Sequence, residues 1–369
     1  MLPMIDVIHP PLLTADLPGI GGKIKAIPED FEVEEIPAYE PSGTGDFLYL
    51  WIEKRDMGAE YFTRQIARRL DIPVGEVGTA GLKDRRAVTR QMVSVPADIE
   101  ARLAQLDGDG IKVLRVGRHS NKLRAGHLHG NRFRILIRFS PLLPGEGGNA
   151  PSPPTPLPEG EGGNSVIERI REHGLPNYYG PQRFGHDGET LQMGLALLYG
   201  EKTVKPIRSP FMKKFALSAA QSALFNHSLA QRFHDGLLRR VLPGDVMCKI
   251  PFGGMFVAED VEAEQKRFDA REIVTAGPIF GRKTFAAAGE AAQREQAALA
   301  AFELTDSSFN GFGKLLQGTR RHNLIYLADL AADVEPDGLR VSFTLPAGSY
   351  ATVLLREFLK TDVSLEESD

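Results

Sequence analysis

Residues 78–91, GTAGLKDRRAVTRQ, place a single carboxylate, Asp84, among four cations: Lys83, Arg85, Arg86 and Arg90. A glycine turn at Gly81 precedes them, so the segment reads as a binding or catalytic edge rather than core packing. Cations on both sides keep Asp84 ionised. An ionised carboxylate is a poor general acid. It serves as a nucleophile or stabilises a developing cation. Lys83 is its nearest cation in sequence, but adjacent side chains on an extended segment point to opposite faces. The plainer reading is an Asx turn or a surface ion pair.

A second signal is a run without acids. No Asp or Glu falls between Asp109 and Glu146, a span that carries Lys112, Arg115, Arg118, Lys122, Arg124, Arg132, Arg134 and Arg138. On alternating strands several of these share one sheet face, as contact with a phosphate backbone requires. A solvated sheet face is the alternative. The whole chain is near neutral, −4 from 44 Lys plus Arg against 48 Asp plus Glu, so the basic character is local.

Other chemistry is weakly signalled. His127 and His129 lack a third nearby ligand, which argues against zinc. The one cysteine, Cys248, leaves no intrachain disulfide or cysteine metal cluster and suits a reducing compartment. A quiet, partly buried thiol is expected there. Neither a P-loop nor a dinucleotide fingerprint occurs, and GFGKLLQGTRR (311–321) lacks phosphate-loop spacing. MLPMIDVIHPPLL is not a signal peptide, and no stretch of about 20 apolar residues is present, so the cytoplasm is the expected location.

These residues need positioning elements. With 369 residues, 42% hydrophobic and 25% charged, the chain can build two substantial cores. DFLYLWIEKRD (46–56) reads as a strand covered on both faces, Phe47, Tyr49 and Trp51 on one and Leu48, Leu50 and Ile52 on the other. EYFTRQIARRL then repeats Phe62, Ile66 and Leu70 at helical spacing. RQMVSVP, IKVLRVGRH and HGNRFRILIRF are further strands, so strands dominate up to residue 140. Residues 141–165 nearly repeat a Pro/Gly/Glu pattern and read as a mobile surface loop, with a proline-rich ligand segment as the alternative.

From about residue 182 the pattern turns helical: TLQMGLALLYG, a long helix over 216–242, FDAREIV (268–274) and EAAQREQAALAAFEL. Segments 242–254 and 275–285 read as loops between them. Strands return near LIYLADL, with LRVSFTLPA a strand and SYATVLLREFL a helix. The fold class is α+β. A mainly helical middle third sits between strand-rich flanks, either as an inserted domain or as the second of three domains.

GLKDRRAVTRQ resembles the signature of the TruD family of tRNA pseudouridine synthases, G-x-K-D-x-x-A-x-T-x-Q, at Gly81, Lys83, Asp84, Ala87, Thr89 and Gln91. IKAIPEDFEVEE resembles the family's N-terminal K-x-x-P-E-D-F-x-V-x-E. HLHGNRFRI carries its G-N-x-F, and NYYGPQRFG differs from its N-Y-F-G-x-Q-R-F-G by a tyrosine at Tyr179. SAAQSALFN and LPAGSYATVLLRE also resemble family segments, all in family order. The resemblance implies a pseudouridine synthase catalytic domain with a mixed β-sheet, formed by residues 1–181 and 321–369. It also implies an inserted, mainly helical α/β domain over 182–320, with an RNA-binding cleft between the two. The implied activity is isomerisation of uridine 13 to pseudouridine in tRNA, without cofactor or metal, and a monomer is favoured.

By the same resemblance Asp84 is the catalytic carboxylate and Lys25 its partner, while Phe31, Asn131, Phe133 and Phe343 line the uridine pocket. The expected RNA-backbone contacts are Arg85, Arg86, Arg90, Arg115, Arg118, Lys122, Arg124 and Arg132. The target nucleotide has to leave its stack before its glycosidic bond can be reached. Two rivals use the same residues: an RNA-binding protein that has no need of Asp84, and a glycosidase pairing Asp84 with Glu29 or Asp30.

Overall fold

The structure, a computed structural model, describes residues 6–139, 161–203, 207, 209–251 and 253–361. In chain order its main elements begin with β1 (Phe31–Pro37), β2 (Phe47–Arg55), α1 (Ala59–Leu70), β3 (Gly78–Thr79), β4 (Val88–Pro96), β5 (Ile111–His119) and β6 (Leu128–Arg138). There follow α2 (Glu161–His173), β7 (Leu175–Pro176), α3 (Glu189–Tyr199), α4 (Pro210–His234), β8 (Val246–Lys249), β9 (Met255–Val257), α5 (Val261–Asp269) and β10 (Ile273–Ile279). The chain closes with α6 (Gly289–Ala300), β11 (Thr319–His322), β12 (Leu324–Ile325), β13 (Ala331–Glu335), β14 (Gly338–Pro346) and α7 (Ala351–Leu359). Two compact units result. One is built mainly from Pro18–Glu168 and Leu327–Ala351, the other mainly from Arg169–Tyr326 with residues up to Leu17 and the chain from Thr352 on.

The first unit is a mixed sheet in the order β13-β14-β6-β1-β4-β2-β5, with β3 paired to β4. β1 and β4 run parallel and the other pairs antiparallel. β2 explains its own apolar run. Leu48, Leu50 and Ile52 pack under Phe62, Ile66 and Leu70 of α1, while Tyr49 on the opposite face joins Met92 and Leu123. Each fully buried side chain of this size contributes about 1.5–3 kcal/mol.

Register places the side chains that matter. Lys54 on β2 pairs with Thr89 on β4, Thr89 with Val33 on β1, Val33 with Phe133 on β6, and Phe133 with Phe343 on β14. These five side chains therefore stand in one row on one face. Asn131 lies one step along β6 on the same face, opposite Glu35.

The second unit contains a four-stranded sheet, β11-β10-β8-β9, a two-stranded β12–β7 pair, and a core of Leu217, Leu224, Phe280, Leu299 and Phe309 among others. Here the sequence reading needs correction. Segments 242–254 and 275–285 hold β8 and most of β10 rather than loops only. β10 is buried at every position, so it shows no alternation, and Gly277 within it packs where a Cβ would meet the Phe225 ring. FDAREIV is the end of α5 and the start of β10, with the chain reversing at Arg271 (φ 60°). The helix expected over 216–242 spans Pro210–His234, so Leu237 lies beyond it. Of the expected loop 141–165, residues 141–160 lie outside the described residues, and α2 already begins at Glu161.

Gly130, in the HGN segment, pairs with Pro346 and sets the β6–β14 alignment that brings Phe133 beside Phe343. A Cβ there would collide with the Leu345 carbonyl, which is backbone and has little room to yield. Gly130→Ala is expected to destabilise the protein by about 1–3 kcal/mol and to lower the melting temperature by several degrees. An unchanged melting curve would contradict the register argument.

Candidate active site

The segment ahead of β1 is tied to β6 by reciprocal backbone bonds between Lys23 and Arg138, 2.9 and 2.8 Å. Two residues on, Lys25 adopts φ 55°, a left-handed conformation unfavourable for a side chain with a Cβ. That turn puts its Nζ 2.7 Å from Asp84 Oδ1 and 4.1 Å from the centre of the Phe31 ring. Lys25 is mostly covered, while the Asp84 side chain keeps 34% exposure. The carboxylate is thus held from one side and open on another.

Lys83 points away from Asp84, as expected for neighbours on an extended segment. It pairs with Glu35 at 2.7 Å, both side chains buried, and Glu35 also accepts the Met92 backbone N–H at 3.2 Å. A third lysine, Lys54, lies beneath the loop and is wholly buried. Its Nζ donates to the Asp84 carbonyl at 2.9 Å and to the Met57 carbonyl, with the Lys83 carbonyl at 3.5 Å.

Beside the ion pair the aromatic residues form a packed floor. Phe133 stacks on Phe343 with centroids 5.1 Å apart, and Phe31 meets Phe133 edge-on at 6.2 Å. Phe31 and Phe343 are 2% and 1% exposed and Phe133 is 7% exposed. Three buried oxygens on the same sheet face, Thr89 Oγ1, Gln91 Oε1 and Asn131 Oδ1, have no hydrogen-bond partner. Buried polar atoms in native proteins are normally satisfied, so three unpartnered oxygens on one sheet face call for an explanation.

The cations show a division that their sequence conceals. Arg90 pairs with Glu53 at 2.8 Å, Arg115 with Glu40 at 2.8 Å, Arg118 with Glu100, Lys122 with Glu76 at 3.9 Å and Arg132 with Glu34 at 3.4 Å. The acid-free span is therefore not acid-free in space, because β1, β2 and the neighbouring loops bring carboxylates to it. Arg86 donates to the Ala26 carbonyl at 2.8 Å, and Arg85 and Arg124 are exposed. Arg138 grips the buried Asp30 with two nitrogens and serves the fold.

Those pairings also weigh on the glycosidase alternative, which needs one carboxyl kept protonated. Burial of Asp30 opposes its ionisation, but the Arg138 guanidinium and the Ile27 N–H overcome this and hold its carboxyl below the usual range. Glu29 is likewise lowered by its hydrogen bond to Arg55. Neither is a poised acid.

His127 lies just before β6, and its Nδ1 is 2.7 Å from the Tyr39 hydroxyl. Among the described residues no group of three His, Cys, Asp or Glu side chains is placed to hold a metal ion, and no helix is long and apolar enough to cross a membrane. Cys248 is half-buried, and burial pushes its thiol pKa up, away from nucleophilic use. A cavity of about 540 Å³ opens at Tyr39, His119, Lys122, Arg124 and His127 rather than at Asp84.

Sequence reasoning did not single out Lys54, Glu35, Thr89 or Gln91 as site residues. Lys54 was legible: it continues the inward-facing series Leu48, Leu50, Ile52 and is the one charge in it. An inward lysine on a core face is expensive unless something specific holds it.

A family model described as tRNA pseudouridine synthase D (TruD) matches residues 8–205 and 204–358. The tRNA pseudouridine synthase D of Anaeromyxobacter sp. is 41% identical over 362 residues, 97% of this chain and 98% of that one. That of Thermus thermophilus is 42% identical over 353 residues, 95% and 92% of the two chains. The crystal structure of a Methanosarcina mazei protein described as a tRNA pseudouridine synthase D superposes with a TM-score of 0.74 over 97% of each chain. At 22% identity that likeness speaks for the fold. The family match and these relatives define an RNA-modifying isomerase of the pseudouridine synthase class. The chain belongs to the tRNA pseudouridine synthase D family.

Glu35 keeps a buried ammonium compensated next to Asp84. Glu35→Ala is expected to cost about 3–5 kcal/mol in urea unfolding, because it leaves Lys83 buried and unpaired. A loss below about 1 kcal/mol would contradict the buried ion pair.

Proposed function

We propose that this protein converts uridine 13 of tRNA to pseudouridine and that Asp84 is the catalytic carboxylate. The observation that carries the reading is the Asp84–Lys25 pair, 2.7 Å apart and partly open, beside an aromatic floor and three unpartnered oxygens. The reaction breaks C1′–N1, turns the uracil and forms C1′–C5. The proton leaves C5 and one is gained at N1, so the product is an isomer. Neither opening step needs an acid from Asp84. As nucleophile its oxygen attacks C1′ and uracil departs with the N1 electron pair. As base it takes the C2′ proton and gives a glycal-like intermediate. Both begin from a carboxylate, which Lys25 pairs with at 2.7 Å and aims.

Phe133, the most exposed of the three rings, is the one we assign to the uracil. Phe31 and Phe343 support it from below and to the side, which fits their burial. Asn131, with an unpartnered Oδ1, meets a donor on the base or ribose. The phosphate contacts divide in the same manner. Arg85, Arg86 and Arg124 bind RNA without giving up a carboxylate. Arg90, Arg115, Arg118, Lys122 and Arg132 exchange one anion for another and contribute less. In this reading residues 1–181 and 321–369 form the catalytic domain and 182–320 the family-specific insertion. The discontinuity of the sheet unit along the chain supports an insertion, although the compact units divide at Glu168/Arg169 and Tyr326/Leu327, and Thr352 onward packs with the other unit. The protein acts as a cytoplasmic monomer without a cofactor.

The test compares wild type with Asp84→Asn on unmodified tRNA carrying labelled uridine, followed by nucleoside analysis and site mapping. Wild type should yield pseudouridine at position 13. The variant should yield none while binding tRNA within a few-fold of wild type, because phosphate contacts dominate affinity. Product from the variant sinks the assignment of Asp84, and product at another position sinks the assignment of the target. Tight binding with no product from either protein favours the noncatalytic RNA-binding reading.

A further inference from the structure

Lys54 is a fully buried lysine that, among the described residues, has no carboxylate in direct contact. Its ammonium instead faces backbone carbonyls: Met57 in the connection from β2 to α1, Asp84 at 2.9 Å, and Lys83 at 3.5 Å. The Phe62 ring of α1 lies 5.9 Å from it, and neutral Thr89 is its neighbour on β4. An ammonium has three protons; this arrangement directs one at the Met57 carbonyl and the others at the backbone on which the Asp84 carboxylate is mounted. Burying such a charge is unfavourable, and packing alone would be served as well by a methionine.

We propose that Lys54 is a positioning residue for the isomerisation: its buried ammonium fixes the Lys83–Asp84 backbone so that the Asp84 carboxylate meets Lys25 and the ribose, and turnover requires the charged form. The inference rests on Asp84 being the catalytic carboxylate. Lys54 itself touches no substrate. A neutral amine has one donor fewer and a lone pair that repels a carbonyl, so loss of the proton loosens the loop without emptying the core.

The charges around Lys54 set where that loss occurs. Burial lowers its pKa most strongly, Asp84 raises it, and Lys83 and Lys25 lower it, bringing it to about 8. Glu35 offsets part of the Lys83 charge through its own pair. The sign for stability is opposite to the sign for activity. Between about 8 and the ordinary lysine value near 10.4 the unfolded chain binds more protons than the folded one, so on this group's account rising pH favours the fold. Activity should therefore fall in a range where Lys54 gives the protein no reason to unfold.

The experiment measures kcat and KM on unmodified tRNA from pH 6.5 to 9.5 for wild type, Lys54→Met and Lys54→Arg, with circular dichroism at each pH. Wild-type kcat is expected to be level below pH 8 and to fall about tenfold per pH unit above it while the protein stays folded. Lys54→Met should lose about a hundredfold in kcat with KM changed less than threefold, because a misplaced catalytic group affects chemistry rather than binding. Its residual activity should lack the fall near pH 8. Lys54→Arg, charged throughout, should move the fall to higher pH. A wild-type kcat that is level to pH 9.5, or a Lys54→Met kcat within twofold of wild type, would overturn the proposal. So would the same alkaline fall in Lys54→Met, since it would then belong to the substrate's own ionisation. If Lys54→Met does not fold, the wild-type and Lys54→Arg profiles decide. Absence of product from wild type at every pH overturns the catalytic reading and this inference with it. Product from wild type with no effect of Lys54 overturns this inference alone.

Discussion

The Asp84–Lys25 ion pair depends on the neighbouring lysines being engaged elsewhere. Three ammonium groups lie around the loop that carries Asp84, and only Lys25 reaches its carboxylate. Lys83 is drawn to Glu35 in the interior, and Lys54 is drawn to main-chain carbonyls. Were either to compete, the carboxylate would be held by two cations at once and would be a weaker nucleophile or base. Among the described residues the arrangement leaves it paired with Lys25 and partly open. Those properties suit the attack at C1′ or removal of a C2′ proton proposed for it.

The sheet is what makes this division reproducible. Residues brought from β1, β2, β4, β6 and β14 reach one face because the register is fixed across five strands. A slip of one residue on any strand would carry its contribution to the opposite face. Constraints that look incidental in sequence serve this alignment: Gly130, where the β14 backbone leaves no room for a Cβ, and Arg138, which holds Asp30 just ahead of Phe31. Rigid strands support the aromatic floor, and Lys25, one of several residues at positive φ, lies beside Asp84.

Much of this was readable from residues. The two-faced apolar run of β2, the helical spacing of Phe62, Ile66 and Leu70, and the final strand and helix follow directly from periodicity. The motif resemblance brought together Asp84, Lys25, Asn131, Phe133 and Phe343, which are distant in sequence and share one face or its rim. What escaped had physical causes. β10 is buried on every side and carries glycine and proline, so it has neither the alternation nor the composition of a strand. The acid-free span between Asp109 and Glu146 suggested an uncompensated basic face, yet pairing in space supplies Glu32, Glu34 and Glu40 from elsewhere in the chain.

The most direct measurement of the central claim is the single-turnover rate of Lys25→Met on tRNA with labelled uridine, taken together with tRNA affinity. If Lys25 holds Asp84 ionised and aimed, the rate should fall by about 10²–10³-fold, as when one preorganised electrostatic partner is removed, while affinity stays within a few-fold of wild type. A Lys25→Met protein that forms pseudouridine at the wild-type rate would show that the ion pair is not what readies the carboxylate.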